Sequence, residues 1–464
     1  MIVSKALETI GLRPASPGRP LTANWKILRA VVIVGACSGV AKLAATAKEL
    51  AVANWFGRGD ALDAFLIAMI LPLTITGLLA GSFNGALIPP YIQTRESRGH
   101  EAAQELFSSV QVVTLLLLIG ASILLAVAAP YYLPLLGSGF GGAKLLLTRR
   151  LLYLLLPIVV VNGAITIWSS ILNADEKFAL PALTPTLTPL GTLFALLLLG
   201  RAWGIFALAL GTVVGTLLEA SLLGRAMRAH GLRLRLRWYG LSPELRLVFR
   251  QYIPLLSGAL VLSTSPIIDQ SMAAMLRSGS VAALSYGNKI INVVTLLSSA
   301  ALSTAVLPYF SQMVTKKDWR GCRRTLKVYS VLALSTTIPV TVGLVVFSRP
   351  LVRLLFQRGA FTETDTAVVS AVQIFFAIMI PFYTWATLFV RLLSSLNRND
   401  FLAYGAAMNA CLNVLLNIVL MKRFGVAGIA LSTSLVYLIS CMFLGFWALK
   451  LLREKESEGR SIGA

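Results

Sequence analysis

The chain has 464 residues, 57% hydrophobic and 13% charged, with a net charge of +22. A soluble domain carries about 25% charged residues, so this composition and a mean hydropathy of +0.79 exclude an ordinary soluble globular protein. On a soluble chain the positive charge would point to nucleic acid; on a membrane chain it points first to the Lys and Arg excess of cytoplasmic loops.

Apolar runs of about 20 residues, long enough to cross a bilayer as a helix, recur from end to end. Barrel strands would be about 10 residues with apolar and polar residues alternating. The expected fold class is therefore an all-α polytopic membrane protein.

In chain order, residues 1–26 carry Pro14, Pro17 and Pro20 with no apolar signal-peptide core, and are expected to be an irregular cytoplasmic tail. Twelve spans are predicted near 28–54, 62–91, 108–135, 148–172, 179–199, 203–223, 250–276, 283–311, 326–347, 366–395, 401–420 and 427–449. With both termini inside, most of the Lys and Arg outside the spans falls on cytoplasmic segments, as the positive-inside rule requires. The longest inner segment, 224–249, contains RLRLRW at Arg233–Trp238, suited to anionic headgroups at the bilayer surface. No accompanying nucleic-acid-binding domain is present, so no nucleic-acid partner is expected.

Residues 27–223 and 250–449 form two predicted six-helix lobes, joined by the basic linker 224–249 and followed by a cytoplasmic tail, 450–464. ILNADEKFALPALTP at Ile171 is echoed by SLNRNDFLAYGAAMN at Ser395, which aligns Asn173 with Asn397; GIFALALGTVV at Gly204 is echoed by GVAGIALSTSLV at Gly425. Both halves start inside, so the repeat is parallel, with the substrate site expected between the halves near mid-membrane.

Charges inside predicted spans mark candidate sites, because a charge at the bilayer centre costs at least about 2.5 kcal/mol and requires a cavity, a partner or a function. Span one carries Lys42, Lys48 and Glu49. Lys42 and Glu49 are seven apart and share a helix face, so an internal ion pair is one expectation; snorkelling of Lys48 and Glu49 to the outer interface is the other. Asp63 begins span two, where a carboxylate favours the helix dipole, either as a cap or as a gate. Asp269 lies deep in span seven after Pro266, with Lys42, Lys289 or Arg391 as candidate partners or a coupling cation as its load. Lys289 in span eight and Arg391 in span ten complete a set of candidate substrate-binding cations: Lys42, Lys48, Lys289 and Arg391. Glu219, late in span six, is expected to be an interfacial or inter-helix charge. Cys37, Cys322, Cys411 and Cys441 are scattered and accompanied by only two histidines, so no metal site is expected. No P-loop or nucleophile–base constellation points to an enzyme.

The motifs resemble those of the MurJ/MviN lipid II flippase family of the MOP exporter superfamily. The resemblance rests on AKELAVANWFGRGDALDAFLIAMILP, ALIPP at Ala86–Pro90, ILNADEKFALPALTP, DQSMAAMLRSGSVAALSYGNKI, ALSTAVLPYFSQM, LLFQRGAFTETDT and FGVAGIALSTSLV. It implies a MATE-like fold of two lobes around a central cationic cavity. The implied activity is alternating-access transfer of a polyprenyl-diphosphate-linked saccharide from inner to outer leaflet, for peptidoglycan or cell-surface polysaccharide synthesis.

By the same resemblance, Lys42, Lys48 and Lys289 stand where the family uses arginines, Glu49 where an aspartate is usual, and Asp63 at the family's acidic position. Thr76, the AGSF of Ala80–Phe83, Asn288 and Asn292 depart from positions that are often charged, and twelve spans stand against fourteen in many lipid II flippases. The saccharide is therefore left open between lipid II and an exopolysaccharide, capsule or O-antigen unit. A cation-coupled multidrug exporter of the MATE type and a non-transporting envelope-assembly scaffold are the alternatives. The expected setting is a bacterial inner membrane with both termini cytoplasmic. No cofactor is expected; a membrane potential or ion gradient would supply the energy. Expected partners are the lipid-linked saccharide, the bilayer and the polysaccharide or peptidoglycan synthesis machinery.

Overall fold

The structure is a computed structural model that describes residues 23–461 apart from Arg233 and Arg235. The expected N-terminal tail up to residue 22, two arginines of the basic loop and the last three residues thus lie outside the described residues.

Every regular element among the described residues is a helix. In order these are α1 (Ala23–Phe56), α2 (Asp60–Leu136), α3 (Gly142–Leu155), α4 (Pro157–Ala174), α5 (Ala179–Leu183) with a 3₁₀ turn at Thr184–Thr186, α6 (Leu187–Trp203) and α7 (Ile205–Ala229). There follow α8 (Pro243–Leu262), α9 (Thr264–Ala274), α10 (Ser280–Thr315), α11 (Trp319–Val346), α12 (Ser348–Phe356), α13 (Glu363–Ala377), α14 (Met379–Ser395), α15 (Asn399–Phe424) and α16 (Val426–Ser461).

Ten stretches of the described residues are long and apolar enough to cross a membrane. One of them, α2, has 77 residues. At 1.5 Å per residue it runs roughly 115 Å, far beyond the about 30 Å of one hydrocarbon core. It holds two spans, which meet at Gly99, where φ is 87° and ψ is −179°. The 34-residue α1 occupies the place of the first predicted span. Each of the twelve predicted spans therefore has a helical counterpart.

Three spans are interrupted next to prolines. The breaks fall at Leu156 before Pro157, at Ser263 before Pro266 and at Ile378 before Pro381. Proline has no N–H to give the carbonyl four residues back and its ring crowds that turn. Pro308, by contrast, sits inside α10 without ending it.

The internal repeat has a backbone signature. Gly204 ends α6 at φ 51°, ψ −125°, and Gly425 ends α15 at φ 57°, ψ −137°. The non-glycine residues Glu176 (φ 60°) and Asn397 (φ 56°) take the same left-handed turn. Both pairs stand 221 positions apart. The alignment of Asn173 with Asn397 is therefore three residues out of register: the turn is set by where the helix ends, and at that point the two halves carry different residues.

The chain forms two compact units. The first comprises the described part of Met1–Glu49 with Ile75–Ile123 and Leu154–Ile253. Within it α6 and α7 approach closely through Gly191, Gly211 and Gly215; a Cβ on Gly191 would come within 2.7 Å of the Gly215 Cα. Small residues allow such backbone approach where lipid offers no hydrophobic drive. Phe83, of the AGSF segment, is fully buried and stacks on Tyr252 at 3.9 Å between ring centroids. The basic segment packs in this unit too, where Ser108 Oγ donates to the Arg237 carbonyl at 2.8 Å.

The second unit comprises Leu50–Thr74, Leu124–Tyr153 and Pro254–Ala464. Its core buries Phe310, Leu388, Leu392, Phe401 and Leu444. The loop after α12 is anchored to the end of α1: Ala360 N–H donates to the Asn54 carbonyl at 2.9 Å, and Arg58 pairs with Asp365 at 3.0 Å. Asp365 also closes a capping box with Thr362 at the start of α13, which satisfies first-turn N–H groups.

Candidate functional site

A cavity of about 640 Å³ lies inside the second unit, lined by residues of α9, α10, α13, α14, α15 and α16. That volume falls within the about 300–1,000 Å³ of small-ligand sites. Two of the three proline breaks help to form it, since Pro266 on α9 and Met379 at the start of α14 both line it.

Lys289 and Asp269, singled out separately in the sequence, line this one cavity. Lys289 is half-buried on α10, between Asn288 and Asn292 of the same wall. Asp269 is buried on α9. Its Oδ1 accepts from Asn413 Nδ2 at 2.9 Å and Asn417 Nδ2 at 2.8 Å, and its Oδ2 from Thr433 Oγ1 at 3.3 Å. The expected cationic partners are replaced by amides and a hydroxyl. A buried carboxylate needs its lone pairs satisfied, and neutral donors from α15 and α16 do this.

Sequence reasoning missed these donors. Asn409, Asn413 and Asn417 recur every four residues in an apolar run, a spacing that stacks them on one helix face. Polar side chains repeated on one face of a span are a signal equal to a charge.

The charges of α1 lie in the first unit. Glu49 pairs with its neighbour Lys48 at 2.6 Å, rather than with Lys42 one face-repeat away. Lys42 is exposed. Arg391 is half-buried on α14 and does not line the cavity.

Asp63 is 1% exposed and has a role beyond its own helix. Its Oδ2 accepts the Gly279 N–H at 2.7 Å and its Oδ1 the Ala282 N–H at 2.8 Å, so it caps α10 from outside. Lys144 reaches the same carboxylate at 2.9 Å and also pairs with Asp60. The start of α10 is thus a neutralised cluster in which the carboxylate meets both a cation and the positive end of a helix. Gly279 is required there: its φ is 79°, and a Cβ would collide with the Arg58 carbonyl.

Residues 52–460 match the family model described as the lipid II flippase MurJ. The chain belongs to that family. A probable lipid II flippase MurJ of Synechocystis is 27% identical over 433 residues, spanning 90% of this chain and 80% of the relative. One from Bdellovibrio bacteriovorus is 25% identical, with 90% and 81% covered. The lipid II flippase MurJ of Thermosipho africanus is 24% identical, with 86% and 81% covered.

Among solved structures, a lipid II flippase MurJ in an inward closed conformation superposes with a TM-score of 0.77 at 23% identity, covering 91% of this chain and 90% of that one. An inward-facing multidrug resistance MATE transporter of the MOP superfamily superposes at 0.73 with 13% identity, covering 92% and 99%. At these identities the superpositions establish the MOP-type fold; membership of the flippase family, a family of transporters and not of catalysts, rests on the match along the chain.

Proposed function

We propose that this chain transfers a lipid-linked saccharide diphosphate from the inner to the outer leaflet by alternating access, in a bacterial inner membrane with both termini in the cytoplasm. The observation that carries the reading is Lys289, a cation held within a span on the wall of a cavity, in a chain of the lipid II flippase family. A diphosphate cannot enter hydrocarbon unaided, and a fixed ammonium offsets its desolvation. The polyprenyl tail has no need to leave the lipid.

No bound nucleotide is required. Each unit charge moved through 100 mV is worth about 2.3 kcal/mol, so a membrane potential or ion gradient is a sufficient source. Lipid II is the substrate that family membership favours, and peptidoglycan synthesis enzymes are then the neighbouring machinery. The test is reconstitution in liposomes under an imposed potential, with a fluorescent polyprenyl-diphosphate disaccharide loaded in one leaflet. Lys289-dependent appearance in the other leaflet supports the proposal; transfer at the protein-free rate overturns it.

A further inference from the structure

We infer that the cavity of the second unit reads the sugar that follows the diphosphate, with Asn288 and Asn409 as its specificity-determining residues. This rests on the transport reading above and assigns a part of the substrate to a part of the site.

The side-chain oxygens of Asn288 and Asn409 are both buried with no hydrogen-bond partner among the described residues. Both residues line the cavity. An acceptor taken from water and left unpaired is costly, so a ligand with donors is favoured there. Asn409 is oriented, because its Nδ2 donates to Ser440 Oγ at 3.1 Å. That bond holds the side chain in place on the cavity wall. Elsewhere on the lining, Ser285, Asn288 and Asn292 follow one another at three and four residues along α10, a single helical stripe.

The chemistry of the lining selects the ligand. Asp269 is held by two amides and a hydroxyl, which fix its carboxylate against α15 and α16. Lys289 supplies positive charge beside Asn288 for a phosphate. Tyr383 and Tyr437 meet edge to face, with centroids 5.3 Å apart, and put aromatic surface on the wall of the same cavity. Hydroxyl and N-acetyl donors on a ring with an apolar face match this combination. A peptide rich in charge does not.

The experiment compares two probes on the purified full-length chain by native mass spectrometry: undecaprenyl diphosphate, and the same lipid bearing an N-acetylhexosamine disaccharide. The wild type should hold the sugar-bearing lipid about tenfold more tightly. Asn409→Leu and Asn288→Leu should each reduce that preference while leaving the bare diphosphate unaffected, and Lys289→Ala should weaken both lipids. Asn288→Ala is the reserve variant if Asn409→Leu does not fold, because the Asn288 oxygen holds no protein group in place. Equal affinity of the wild type for both lipids, or an undiminished preference in the asparagine variants, overturns the inference alone. Failure of both lipids to bind overturns the transport reading, and this inference falls with it.

Discussion

Asp63 accepts the backbone N–H of Gly279 at 2.7 Å across 216 positions of sequence. One carboxylate thereby ties the start of span two to the start of span eight, with Lys144 as counter-charge. Asp63→Ala should leave the Gly279 and Ala282 N–H groups without their acceptor and Lys144 with Asp60 as its carboxylate partner and the Phe140 ring at 3.9 Å. The expected loss is about 2–5 kcal/mol. Asp63→Asn keeps an acceptor and should lose less. Thermal unfolding of the purified protein in detergent checks the order. An unchanged midpoint in the alanine variant would remove this carboxylate from the set of groups holding the unit together.

Asp269 depends on α15 in the same way. Asn417 and Asn413 converge on one oxygen, so removal of either leaves the buried carboxylate under-satisfied. Asn417→Leu should destabilise by about 1–3 kcal/mol. Asp269→Asn in the same background should recover part of it, since a neutral amide is cheaper to bury than a carboxylate. Additive losses in a double-mutant cycle would show that the two residues do not interact.

These two sites mark how far the sequence is legible. The twelve spans could be read because each is an apolar run of bilayer length, whereas which prolines would interrupt a helix could not, since Pro157, Pro266 and Pro381 stand at breaks and Pro254, Pro308 and Pro339 sit inside helices. Lys289 and Asp269 could be picked out by the cost of charge in hydrocarbon. Their neighbours could not, because α9, α10 and α15 meet only through tertiary packing. Asp63 was visible as a carboxylate at a helix start, yet the helix it caps from outside begins 217 residues later, at Ser280. Glu49 shows the converse: helical periodicity favoured Lys42 as partner, and flexible side chains let the adjacent Lys48 reach it instead.

The cations can be ranked by experiment. A charge-assisted contact to phosphate is worth about 1.5–3 kcal/mol, so Lys289→Ala should slow lipid transfer by roughly 10- to 100-fold with insertion intact. Lys289→Arg keeps the charge and adds a planar fork, and should retain transfer. Lys42→Ala should also impair transfer if the exposed Lys42 faces substrate. Wild-type rates in both alanine variants would dispose of the cationic route.

The orientation of the chain is open to chemical labelling. Ser138, exposed between α2 and α3, falls on the side with few basic residues, whereas Lys316, exposed at the end of α10, lies beside Lys317, Arg320, Arg323 and Arg324. Basic clusters are retained in the cytoplasm, so the two positions should face opposite sides. The native cysteines must first be replaced, with alanine at Cys322 and Cys441, because those two are buried. In that background, Ser138→Cys should react with an impermeant maleimide in intact cells, and Lys316→Cys only after permeabilisation. The reverse pattern would invert the chain and place the Asp63–Lys144 cluster on the cytoplasmic side. Labelling of both positions in intact cells would mean that an even number of spans separates them, where the twelve-span arrangement places five.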